Sequence, residues 1–167
     1  MHLVGRVMCR YDEALDQRLC AEHVMAIGAF QPNVLIVEDQ EGPRKALYMI
    51  LSSFYRIYTA ETASVALKII GESPIDLVIM DVGLPDLSGM EVLRRVRASG
   101  QAVKVIVVTG RGSLESAEEA MRLGAVAYLL KPFNLLEVLT LVQQGVKASA
   151  AELALRLPMM TKAALPG

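Results

Sequence analysis

The chain has 167 residues, 53% of them apolar, and a formal net charge of −1 at pH 7, enough for one buried core with length to spare at the ends. The near-neutral balance and the lack of any Lys/Arg-rich run or aromatic–basic interleaving argue against direct nucleic-acid binding. No apolar run approaches the ~20 residues of a membrane span, and the start, MHLVGRVMCRYDE, lacks the continuous apolar stretch of a signal peptide. Cys9 and Cys20 form no disulfide framework and suit a reducing compartment. The expectation is a soluble cytoplasmic protein with no membrane partner.

In chain order, residues 1–33 read as an N-terminal extension. Its segment Asp12 to Phe30 carries a weak helical stripe of Leu15, Leu19, Ala26 and Phe30. From Val34 the sequence alternates between two periods. Strands are predicted at Val34–Val37, Ile57–Ala60, Leu77–Met80, Val103–Val108 and Ala127–Leu130, apolar throughout as in a sheet covered on both faces. Between and after them lie five helical stripes: Ala46, Leu47, Ile50 and Leu51; Val65, Ala66, Ile69 and Ile70; Val92, Leu93 and Val96; Ala117, Ala120, Met121 and Leu123; and Leu135, Val138, Leu139, Val142 and Val146.

Local signals agree. Pro43 suits a first helical turn. Ser88 with Glu91, and Ser116 with Glu119, have capping-box spacing, while Gly71, Gly100 and Gly124 stand at expected helix ends. Helical composition continues to Leu157, before Pro158. A helix from Asn134 to Leu157 would be roughly 36 Å long at about 1.5 Å per residue, so it either breaks near Gly145 or projects beyond the sheet. Residues 148–167 are therefore set apart as a helical extension and tail, and the last nine are expected to be disordered. Strands alternating with helices, joined by right-handed crossovers, give an α/β fold: a doubly wound parallel sheet with helices on both faces.

Four predicted strands end on polar residues: VLIV runs into Glu38 and Asp39, LVIM into Asp81, VIVV into Thr109 and AYLL into Lys131. In an open parallel sheet these ends share one edge, where ligands bind. Three converging carboxylates repel one another, and a hard cation with oxygen ligands relieves that repulsion. Magnesium suits such a site because it keeps positions for waters and phosphate oxygens. Lys131 offers a mobile charge and Thr109 a hydroxyl to a phosphoryl oxygen, and a carboxylate can attack phosphorus to form an acyl phosphate. Singly, Glu38–Asp39 reads as a loop start, Asp81 as a turn residue before Gly83 and Pro85, Thr109 as a strand cap and Lys131 as a solvated charge. Their coincidence on one edge favours a single site.

The stretches VLIVEDQ, DLVIMDVGLPDLSGMEVLRRVR, VIVVTGRG and AMRLGAVAYLLKPF, in this order, resemble the response-regulator receiver family of two-component signalling from Val34 to about Lys147. The resemblance implies a flavodoxin-like, CheY-like sheet of five parallel strands in the order 2-1-3-4-5, with residues 34–147 as the receiver domain. It implies Asp81 as phosphoacceptor; Glu38, Asp39, Asp81 and the Gly83 carbonyl as magnesium ligands; and Thr109 and Lys131 as partners of the phosphoryl group. It also implies Thr109 and Tyr128 as a switch pair, although Tyr128 also reads as a half-buried strand aromatic. A cis Lys131–Pro132 bond fits the family, at a cost of about 0.5–1 kcal/mol. Glu38 departs from the commoner Asp by one methylene. Gly83 and Gly110 leave the acyl phosphate open to water, with Arg111 nearby to counter that.

The implied partners are a sensor histidine kinase or a histidine phosphotransfer protein, and an unknown output partner. Leu136 and Leu141 lie off the core stripe of the last helix and read either as satellite packing or as a partner or homodimer surface. Two readings of the output stay open: a stand-alone receiver, or a piece of a longer regulator or hybrid kinase. A metal-dependent phosphohydrolase also uses an Asp nucleophile, but commonly has a second Asp two residues later, where this chain has Gly83. The expectation is a self-phosphorylating switch and not an enzyme with external substrates.

Overall fold

A computed structural model describes the backbone of residues 2–4 and 7–9 and the chain from residue 31 to 147. The expectations for Asp12 to Phe30, Cys20 and residues 148–167 lie outside the described residues.

Five parallel strands form the body of the sheet: β3 (Asn33–Val37), β4 (Arg56–Ala60), β5 (Leu77–Asp81), β6 (Lys104–Thr109) and β7 (Ala127–Leu130). They lie in the order β4-β3-β5-β6-β7, which is 2-1-3-4-5 in sequence order, as expected. Five helices connect or follow them: α1 (Glu41–Leu51), α2 (Ala63–Glu72), α3 (Gly89–Ala98), α4 (Leu114–Arg122) and α5 (Leu135–Lys147).

Strand alternation divides the core in two. Val34, Ile36, Leu77, Ile79, Ile106, Val108, Ala127 and Leu129 face α1 and α5, meeting Leu47, Leu51, Val138, Leu141 and Val142. Leu35, Val37, Val78, Met80, Val105, Val107 and Tyr128 face α2, α3 and α4. Each fully buried branched or aromatic side chain contributes about 1.5–3 kcal/mol. A one-residue slip would exchange the two faces, so the apolar pattern fixes the register.

The sheet has two strands more than the sequence implied. Within the expected extension, β1 (His2–Val4) and β2 (Val7–Cys9) pair antiparallel, and β2 pairs antiparallel with β7, setting Met8 opposite Tyr128. Three-residue strands carry too little periodicity to be read locally; pairing with β7 defines them.

Several helix ends also differ from expectation. Ser88 caps α3 by accepting from the Met90 amide, but Glu91 pairs with Arg94 and Arg95 and does not close a box. Helix α4 starts one turn early: Ser113 is its cap, in a reciprocal box with Ser116. Gly100 and Gly124 end α3 and α4 at φ +72° and +94°, whereas α2 passes Gly71 and ends at Glu72. Val65 lies on the solvent side of α2, and Leu141 is buried in α5, which runs unbroken through Gly145. No helix among the described residues is long and apolar enough to cross a membrane.

Candidate functional site

The C-terminal ends of β3, β5, β6 and β7 stop side by side because pairing continues one step past each strand. The Glu38 amide donates to the Ala60 carbonyl at 3.0 Å, Val82 to Val108 at 3.0 Å and Lys131 to Thr109 at 2.8 Å. Gly89 lets α3 approach this edge. A Cβ there would overlap the Asp81 carbonyl oxygen and lie 3.0 Å from Val82 Cα.

Glu38 and Asp81 are buried, with 3% and 8% of their surfaces exposed, and Asp39 is exposed beside them. Each of the three offers a carboxylate oxygen within 4.8 Å of the other two. Lys131 Nζ bridges the buried pair, donating to Glu38 Oε2 at 2.6 Å and Asp81 Oδ2 at 2.7 Å. The other oxygens are also held: Asp81 Oδ1 accepts from the Gly83 amide at 3.0 Å, and Glu38 Oε1 from Gln40 at 3.2 Å. The extra methylene of Glu38 thus ends in a direct ion pair with Lys131.

Burial raises the Glu38 carboxyl above its ordinary range; hydrogen bonds from Lys131 and the Gln40 amide oppose this without cancelling it. Burial works against the Lys131 ammonium, but its bonds to Asp81 and Glu38 outweigh that and raise its pKa. One cation facing two buried carboxylates leaves the pocket with excess negative charge, the condition in which a hard divalent cation is favoured. Clustered carboxylate oxygens fit magnesium by ligand type.

Thr109 and Tyr128 flank the pocket without joining it. Thr109 is buried, and its Oγ1 donates to the Arg111 carbonyl at 3.1 Å and accepts from the Arg111 amide at 3.2 Å. Tyr128 is 3% exposed, more deeply buried than expected, and its hydroxyl lies 2.9 Å from Ser116 Oγ. Gly112 makes room for it: a Cβ there would lie 2.6 Å from the Tyr128 hydroxyl and overlap Leu130 Cδ2. A Cβ at Gly110 would meet nothing within 4 Å, and one at Gly83 only Asp81 Oδ1 at 3.8 Å. Both glycines therefore border open space. The Lys131–Pro132 peptide is cis.

Two side chains that organise this edge, Arg44 and Asp86, carry no local sequence signal, since their partners lie far along the chain, and Ser116 has a contact to Tyr128 that its capping spacing does not announce. Arg44 Nη1 donates to the Glu38 and Asp39 carbonyls at 2.8 and 3.2 Å. Asp86 accepts from the Ala63 and Ser64 amides at 2.8 and 2.9 Å and from the Ser64 hydroxyl at 2.6 Å.

This strand order, with helices on both faces, defines a CheY-like α/β domain. Residues 34–143 match the response regulator receiver domain family, and the chain belongs to it. Such domains are signalling switches of two-component systems. Sporulation initiation phosphotransferase F of Bacillus subtilis strain 168 is 33% identical over 106 residues, which are 63% of this chain and 86% of that protein. A probable cyclic di-GMP phosphodiesterase of Vibrio cholerae is 35% identical over 107 residues, 63% of this chain but only 24% of its own length. The crystal structure described as the signal receiver domain of a "putative Luxo repressor protein" from Vibrio parahaemolyticus superposes with a TM-score of 0.69 at 29% identity, covering 80% of this chain and all of that one. The chain thus spans between a quarter and most of the length of these curated relatives.

Proposed function

We propose that this receiver takes a phosphoryl group on Asp81, from a sensor histidine kinase or a histidine phosphotransfer protein, and so switches a partner-binding surface. The observation that carries this reading is the setting of Asp81. It closes the central strand β5, with one oxygen held by the Gly83 amide and the other by Lys131. Fixed donors hold the carboxylate in one orientation, and positioning is what phosphoryl transfer chiefly needs.

In the transfer, an Asp81 oxygen bonds to phosphorus as the P–N bond of a phosphohistidine breaks, and the imidazole leaves with the electron pair. Lys131 already touches Asp81 and moves its charge onto the phosphoryl oxygens. Thr109 exchanges its Arg111 partners for a phosphoryl oxygen. Glu38, Asp39 and Asp81, whose carboxylate oxygens cluster, would hold magnesium together with the Gly83 carbonyl. When bound, the ion supplies the positive charge that offsets the carboxylates and the incoming oxygens.

A phosphoryl group of about −1.5 to −2 charge draws Thr109 and its loop inward. That loop leads through Gly112 to the Ser113 cap of α4, and Ser116 of that cap bonds Tyr128. The pair Thr109 and Tyr128 thus acts on one two-state element. Leu136, 66% exposed at the start of α5, belongs to the partner or dimer surface, and buried Leu141 does not. Residues 34–147 form the receiver unit, flanked by extensions at 1–33 and 148–167. It works in the cytoplasm, alone or within a longer regulator, and catalyses only its own phosphorylation and dephosphorylation. With Gly83 two residues after Asp81, no second acid stands there to support turnover of external phosphate esters.

Incubation with magnesium and acetyl phosphate should give one acid-stable, base-labile phosphate per chain, absent in Asp81→Asn. Unchanged labelling of that variant would contradict the assignment. Rapid turnover of diverse phosphate esters would favour a hydrolase.

A further inference from the structure

Two ties from opposite sides of the acidic pocket end on the same four-residue segment, Glu61 to Ser64, where β4 passes into α2. Arg44 makes the first. Its side chain is only 15% exposed, and its Nη1 donates to the Glu38 and Asp39 carbonyls. Its Nη2 donates to Glu61 Oε1 at 2.6 Å. Asp86 makes the second, from the loop that follows Asp81. Its carboxylate takes the Ala63 and Ser64 amides and the Ser64 hydroxyl, while the Thr62 side chain takes Val65 at 3.3 Å. The amides of the first three helical residues, Ala63, Ser64 and Val65, thus all have partners ahead of the first intrahelical bond, from Ala66 to the Thr62 carbonyl at 3.0 Å. The negative Asp86 sits where the helix dipole favours it, and these bonds hold its carboxyl well below the usual range.

We infer that Arg44 and Asp86 are positioning residues: together they form a bracket on Glu61–Ser64 that sets the spacing between the Glu38–Asp39 turn and the Asp81 loop. This rests on the reading of the pocket as a magnesium site. Neither side chain is among the three clustered carboxylates. Asp39 is exposed, so the place of its carboxylate depends largely on how its backbone is held, and Arg44 holds that backbone at the carbonyl. The Asp81 loop is closed at its far end by the Gly89 amide on the Val82 carbonyl at 3.0 Å, and Asp86 fastens the middle of it. Partners outside the ligand set that orient ligands typically change metal affinity by about 10–100-fold when removed.

Charge and position make opposite forecasts here. If Arg44 acted only as a nearby cation, its removal would strengthen magnesium binding, and Arg44→Lys would leave it unchanged. If it acts as a bracket, Arg44→Ala weakens binding. Arg44→Lys weakens it nearly as much, because an ammonium cannot span two carbonyls and a carboxylate as the guanidinium fork does.

The test is a magnesium titration of the 15N-labelled full chain, with Kd read from amide shifts and without any phosphodonor. Expected are Kd values raised about tenfold, the lower end of the range for such partners, in Arg44→Ala, Arg44→Lys and Asp86→Ala. Glu61→Gln, a change at an exposed carboxylate that keeps the fold, should shift Kd in the same direction by less. It carries the test if a larger change unfolds the chain. Unchanged or tighter binding in Arg44→Lys and Glu61→Gln overturns the bracket while leaving the site intact. A wild-type chain that takes up no magnesium removes the reading of the site and the bracket with it.

Discussion

Replacing Lys131 by methionine keeps most of the side-chain stem but removes the cation that bonds the Glu38 and Asp81 carboxylates, at 2.6 and 2.7 Å. Both carboxyl side chains are at most 10% exposed, so the variant leaves two close carboxylates without their counter-charge. Removing one partner of a buried pair costs about 3–5 kcal/mol. Lys131 is itself 20% exposed, and water at the pocket mouth lowers the expectation to about 2–3 kcal/mol. For a domain of this size that corresponds to a fall in Tm of roughly 8–12 °C. Thermal unfolding followed by circular dichroism in chelator reads it directly. Magnesium should then stabilise the variant more than the wild type, because Lys131 no longer competes for the same oxygens. A ligand at 100 times its Kd adds about 2.7 kcal/mol. Burial already raises Glu38, so the variant should also regain stability as pH is lowered and that proton is taken up. A variant as stable as wild type in chelator, with an equal response to magnesium, would refute the charge balance assigned to the pocket.

Four further outcomes are expected. Gly112→Ala puts a methyl group against Leu130 and 2.6 Å from the Tyr128 hydroxyl, so it should cost about 1–3 kcal/mol and displace the ring, visible in its aromatic resonances. Ser116→Ala, removing the 2.9 Å contact to that hydroxyl and the Ser116 half of the Ser113 cap, should cost about 1–2 kcal/mol without displacing the ring to the same degree. Burial pushes Tyr55 up to about 12 from 10.0, so its contribution is complete below pH 10 and is lost as pH rises through 12. This amounts to roughly 2–3 kcal/mol, and alkaline unfolding of Tyr55→Phe should lack that part of the slope. Gly124→Ala, at φ +94° and with its new Cβ 2.9 Å from Arg97 Nε, should lower stability by about 1–2 kcal/mol in urea unfolding.

The parallel sheet was legible because its strands carry their own signal: Leu77 to Met80 and Val105 to Val108 are buried on both faces and read as unbroken apolar runs. The acidic pocket was legible for a related reason, since a polar residue ending such a run marks the strand edge, and Glu38, Asp81, Thr109 and Lys131 all do so. What escaped depends on contacts distant in sequence. Arg44 reaches Glu61 across 17 positions and Asp86 reaches Ala63 across 23, and no local period announces either. The α4 start was misplaced by one turn because Ser113 and Ser116 can both cap. The choice falls to the reciprocal bonds between them and to the pull of Tyr128 on Ser116. The two short strands before Asn33 owe their existence to the edge of β7.

Locating the phosphate tests the central claim most directly. The full chain is phosphorylated with acetyl phosphate and magnesium, reduced with borohydride to trap an aspartyl phosphate as homoserine, digested and sequenced by tandem mass spectrometry. Homoserine at position 81 alone, dependent on magnesium, is the expected result. Homoserine at Asp39 instead, 5-hydroxynorvaline at Glu38, or a phosphate that resists borohydride because it sits on a hydroxyl such as Thr109, would contradict the assignment of Asp81 as phosphoacceptor.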